Sequence, residues 1–216
     1  MRKAHIWQLR IIGVLGITLP FAVLLIGQAG NNSHDWYYSI SASAYTNAAP
    51  WFVSTMGASG WFLIAYSFYV REEYGKWDFA VNFAAGFFAL LIAFFPCYTT
   101  LVSFAGLIPL PIKVCSVIHN TSAALFFLLL AIDLLFFFTK NSGLMTKEKR
   151  RRNVIYRVCG TGILVFMAVQ AYTSFTVNLD GPYTMFNEAL MLIFNGAGRF
   201  VKGETILRDK KGGQAA

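Results

Sequence analysis

His119 and Asp133 stand in one long apolar run of this chain, and Glu188, Asn195 and Arg199 in another. A polar side chain inside apolar sequence is costly unless it meets a partner or water, so chemistry is sought first at these residues. On a helix, His119 and Asp133 are 14 positions apart. That is about 1400° of turn, about 40° short of whole turns, so both project from nearly one face, ~21 Å apart. Glu188, Asn195 and Arg199, at offsets of 7 and 11, return to within about 20° of the first.

Depth sorts these residues into two sets. His119 and Glu188 lie about six residues, or ~9 Å, from one end of their runs. An imidazole beside a carboxylate can act as an oriented base or as a donor to a ligand. These two are the catalytic candidates, expected within hydrogen-bond reach directly or through one water. A lone His in such a place more often bonds helix to helix. Asn82, Asp133, Arg157 and Arg199 lie near the opposite ends of four runs. They form a structural polar layer in which Asp133 pairs with Arg157 or Arg199, and either arginine fits.

The segment 31–45 has no Lys or Arg. His34 and Asp35 are adjacent, Ser39, Ser41 and Ser43 alternate, and Trp36, Tyr37, Tyr38 and Tyr45 suit a headgroup region. It is an interfacial aromatic anchor or the cap of a site. Its ligand-binding candidates are His34, Asp35, Ser39, Ser41 and Tyr45, joined by Asn120 from the run of His119. Residues 99–112 are apolar, with Pro109 and Pro111, and are expected in the interface.

Other chemistries lack their motifs. Cys97, Cys115 and Cys159 include no CxxC and no zinc spacing, so no metal site and no cofactor are expected. A Cys97–Cys115 bridge is open to an oxidising compartment, with free thiols as the simpler state. No GxSxG marks a nucleophile. Asn31-Asn32-Ser33 matches a glycosylation sequon, relevant only in a eukaryote. The small residues between Ser54 and Gly60, together with Asn187, suit close helix packing.

The elements that must position these residues follow from composition. Of 216 residues, 56% are apolar and 13% charged, and mean hydropathy is +0.54. A soluble domain carries about 25% charged residues. Six runs long enough to cross a bilayer fall at 9–28, 49–70, 79–98, 114–139, 154–175 and 183–201. The first is too long for a signal peptide and lacks its cleavage site. The expected fold is an all-α membrane protein, a single domain over 1–216 made as a bundle of six transmembrane helices.

Seventeen of the 18 Lys and Arg fall in the N-terminus, the second–third and fourth–fifth connections, and the C-terminal end; Lys113 alone falls elsewhere. With six spans those segments share one side, so both termini are expected in the cytoplasm. The net charge of +8 then reflects topology and contact with anionic lipid, not nucleic acid.

Several segments resemble a widespread uncharacterised bacterial family of six-span membrane proteins. They are Tyr38-Ser-Ile-Ser-Ala-Ser-Ala-Tyr-Thr46, Ile118-His-Asn-Thr-Ser-Ala-Ala-Leu-Phe-Phe127, Lys149-Arg-Arg-Arg-Asn-Val-Ile-Tyr-Arg-Val-Cys-Gly160 and Val201-Lys-Gly-Glu204. The layout is more distantly similar to the DRAM and Sfk-type six-span proteins, which include a GPI-anchor lipid-remodelling factor. Ile40-Ser41, His119 and Glu188 stand where that group has an Ile-Ser segment, a His and a Glu. Membrane zinc hydrolases of the alkaline-ceramidase type need a late HxxxH, and this chain has no His after His119.

Together these observations lead to an integral protein of the bacterial inner (plasma) membrane, with membrane lipids as partners and a homo-oligomer open. It is expected to bind or process lipid at the outer leaflet through a site between the fourth and sixth runs. A small transporter or channel is the alternative, and a non-catalytic scaffold is the baseline.

Overall fold

The computed structural model describes residues 2–28, 39–140, 145–176 and 183–207. Six α-helices dominate: α1 Arg2–Gln28, α2 Ala49–Tyr74, α3 Lys76–Phe94, α4 Ile112–Ile132, α5 Lys147–Thr176 and α6 Tyr183–Lys202. A 3₁₀ turn, Ser41–Tyr45, precedes α2. Two-residue strands, β1 Phe104–Ala105 and β2 Leu110–Pro111, pair antiparallel between α3 and α4. Among the described residues the fold is all-α apart from that pair.

Among the described residues, four helical stretches are long and apolar enough to cross a membrane: His5–Gly27, Lys76–Phe94, Ile112–Phe137 and Lys147–Thr176. Helices α2 and α6 match them in length. Their hydropathy is diluted by polar groups turned inward, including Thr55, Ser59 and Ser67 on α2 and Asn187, Asn195 and Arg199 on α6, all buried.

Helix limits follow local chemistry. The third ends at Phe94, short of the expected 98, because Pro96 forces Phe95 into extended backbone (φ −120°, ψ 104°). The fifth begins at Lys147, earlier than the expected 154. Thr146 caps it, accepting from Lys149 N at 3.0 Å, and the basic run is made of good helix formers. Gly75, at φ 105°, makes the sharp break between α2 and α3.

Small residues set the tightest packing. A Cβ on Gly60 of α2 would lie 2.9 Å from the Gly86 carbonyl oxygen of α3. A Cβ on Gly196 of α6 would lie 2.7 Å from the Gly13 oxygen of α1. Both pairs bring backbones together as small residues do in membrane helices. Of the run from Ser54 to Gly60, Gly60 thus serves helix packing, while Gly57 faces open space.

The two ends of the bundle differ. At the basic end, Arg10 Nε donates to Gly203 O (2.7 Å), Lys140 pairs with Asp78 (2.6 Å) and Arg152 Nη1 donates to Leu207 O (2.7 Å). This places the start of α1, α3 and α5 beside the finish of α4 and α6. At the far end the 3₁₀ turn and the β1–β2 pair gather over the opposite helix ends.

Candidate functional site

The layer at the basic end is built on a widened helical turn. After Ile132 the chain continues α4 through Asp133–Phe137 with i→i+5 bonding, Phe138 N donating to Asp133 O at 2.8 Å. Leu134 of that turn fits against α6 because residue 198 is glycine and has no Cβ to meet it. Asp133 then accepts from Arg199 Nη2 at 2.9 Å and from Asn82 Nδ2 at 3.1 Å. Asn195 Oδ1, one turn back on α6, accepts from Arg199 Nε at 3.1 Å. Asn82, Asp133, Asn195 and Arg199 are at most 3% exposed. Within this network, Asn82 Oδ1 and Arg199 Nη1 lack a protein partner.

Of the two arginines open to Asp133, Arg199 is the partner. Arg157 is exposed and is removed from the polar layer. The buried face of α5 runs through Asn153, Tyr156, Cys159, Gly160 and Ile163, and one step from Tyr156 turns Arg157 about 100° away. The buried arginine of α5 is Arg152, which the sequence left among the loop cations.

The far-end layer begins with the broken end of α3. A helix finishes with carbonyls that have no intrahelical donor. Leu107 N donates to Phe94 O (2.8 Å), His119 Nδ1 bonds Phe95 O (2.7 Å) and Tyr45 Oη donates to Cys97 O (2.8 Å). Because a carbonyl only accepts, His119 carries its proton on Nδ1 towards Phe95. Burial pushes the Tyr45 phenol well above its ordinary pKa.

Glu188 has different partners. It accepts from Ile40 N at 2.6 Å and from Ser39 Oγ at 3.1 Å. Ser39 and Ser41 hydroxyls lie 2.6 Å apart. With its proton given to Glu188, Ser39 receives that of Ser41. No hydrogen bond joins His119 to Glu188, since each has taken another partner. They do share the wall of a small cavity of about 30 Å³, with Ser41, Met56 and Phe126, which has the volume of one water.

A cavity of about 620 Å³ lies beside Glu188. Its far-end wall carries Ser39, Ser41, Ser116, Asn120, Gln170 and Thr184, and its deeper wall Ala123, Ala124, Phe127, Met167 and Met191. Asn120, Ala124, Ala171 and Ser174 on this wall are exposed, so the cavity is a cleft open sideways between α4 and α5. Towards the basic end the two helices close. A Cβ on Gly160 would meet Leu135 Cγ at 2.6 Å.

Four expected ligand-binding residues, Ser39, Ser41, Tyr45 and Asn120, are therefore at the far end, and all but Tyr45 line the cleft. His34 and Asp35 lie outside the described residues. Gln170 and Thr184 were missed: Gln170 Nε2 donates to Thr184 Oγ1 at 3.0 Å, and its Oε1 accepts from Asn187 at 2.9 Å. A glutamine in the apolar run of α5 was the available signal. Cys97, Cys115 and Cys159 are buried and form no disulfide. Among the described residues, no cluster of three or more His, Cys, Asp or Glu could hold a metal. Compared with protein-family models, curated proteins and solved structures, the chain matches none.

Proposed function

We propose that the chain is a six-span integral membrane protein of the bacterial inner membrane that binds an amphiphilic lipid from the outer leaflet. Its basic end, with both termini, faces the cytoplasm. The observation that carries the reading is the cleft of about 620 Å³, open sideways between α4 and α5. Its apolar depth accommodates acyl chain and its polar rim a headgroup, the usual division of labour in a ligand pocket. Kinship with the bacterial six-span family, and more distantly with DRAM and Sfk-type proteins, belongs to the same reading.

Transport has less support. The polar stripe of α6 runs into the buried Asp133–Arg199 pair at its basic end, and a blind cleft suits binding better than passage.

Native mass spectrometry of protein released from its membrane tests the reading. The wild type should carry a lipid adduct, and Ala124→Trp, which fills the exposed mouth, should lose it at unchanged thermal stability. An adduct retained by Ala124→Trp counts against the cleft. Cysteine labelling should find 147–152 on the cytoplasmic face; labelling from outside would invert the assignment.

A further inference from the structure

The cleft's charge says which lipid it takes. Among its described lining residues there is no Lys, Arg or His, and Glu188 is the single one with a formal charge. The nearest Lys or Arg of α4 is Lys113, exposed, one turn beyond Ser116 at the far end and outside the described lining. Glu188 is half-buried and is held by neutral donors, Ile40 N and Ser39 Oγ, with no cation beside it. The remaining polar lining is hydroxyl and amide. A head of net negative charge entering here would lose water and meet a like charge, and the described lining offers it no counter-ion.

We infer that the cleft selects amphiphiles whose head donates hydrogen bonds and carries no net negative charge, with Glu188 as the acceptor. This rests on the lipid-cleft reading above. Two sources fit that chemistry, an ammonium head such as ethanolamine and an uncharged hydroxyl head such as that of a diacylglycerol. Anionic heads are excluded by the lining, although the basic end of the same molecule would attract them.

The test is competition binding on the full chain in detergent, with phosphatidylethanolamine, diacylglycerol and phosphatidylglycerol of identical acyl chains. At least one of the first two should bind about tenfold or more tighter than phosphatidylglycerol, the scale of one unscreened like-charge contact. Whichever of the two binds identifies the source. Asn120→Lys places a cation on an exposed part of the wall and should raise phosphatidylglycerol affinity about tenfold, without touching the bonds of Glu188. Equal binding of phosphatidylglycerol to the wild type would overturn the selection by charge and leave the lipid cleft standing. Failure of all three lipids to bind would overturn the cleft reading itself.

Discussion

Two acids, Asp133 and Glu188, sit in the apolar body of this protein, and their surroundings are opposites. Asp133 is 1% exposed and meets a guanidinium, an amide and close-packed rings, with Arg199 Cζ 5.4 Å from the Phe138 ring. Glu188 meets a backbone N–H and a serine, and it borders a cleft large enough for part of a lipid. An acid whose charge is matched and whose surroundings are filled has little left to offer a ligand. An acid with neutral partners beside open space does.

The largest effect that can break this comparison is at the basic end. Asp133→Leu should cost on the order of 3–5 kcal/mol, because it leaves Arg199 as an uncompensated charge. Removing both partners, Asp133→Leu with Arg199→Met, should recover much of that loss. The measurement is unfolding in detergent as a double-mutant cycle, and additive losses would show that the pair is not a unit.

Gly198→Ala comes next. A methyl there would strike Leu134 in the widened turn, and a loss of about 1–3 kcal/mol is expected, as for other overpacked sites. Thermal stability unchanged within error would mean that the turn can shift, and that Asp133 is less fixed than its bonds imply.

At the far end the expected losses are smaller. Glu188→Gln keeps the shape and weakens the acceptor for Ile40 N and Ser39 Oγ, at a cost of about 1–2 kcal/mol. The sharper readout is lipid binding, which should change more than stability does. The reverse order would make Glu188 a brace for the 3₁₀ turn, and the contrast between the two acids would disappear.

The sequence made the helices and the two polar layers legible, because an apolar background exposes each polar residue. Periodicity put Asp133 and Arg199 at matching depths and singled out Glu188. What it could not show was which partner each would take. The role of His119 depends on Pro96, which breaks α3 and leaves Phe95 with an unclaimed carbonyl 24 residues away in sequence. The cleft was invisible for a related reason. It exists because α4 and α5 touch at Gly160 and part towards the far end, and divergence between helices leaves no mark on the hydropathy of either.

The smallest predicted effect separates the two arginines that the sequence could not tell apart. Arg157 and Arg199 lie at similar depth by count, yet one is exposed and the other is 0% exposed. Arg157→Gln should change stability by no more than about 0.5 kcal/mol, the usual range for a surface substitution away from any network. Arg199→Gln at the same temperature should lose several times as much, because Asp133 then loses its hydrogen-bonded guanidinium and keeps Asn82 as its side-chain donor. Both substitutions remove one positive charge near the basic end, so any general effect of charge on topology or lipid contact is common to the pair and cancels. What remains is the difference between an arginine held by a buried acid and one facing outward. If the two variants melted together, Asp133 would have no privileged partner, and the contrast between a filled end and an open end would lose its firmest support.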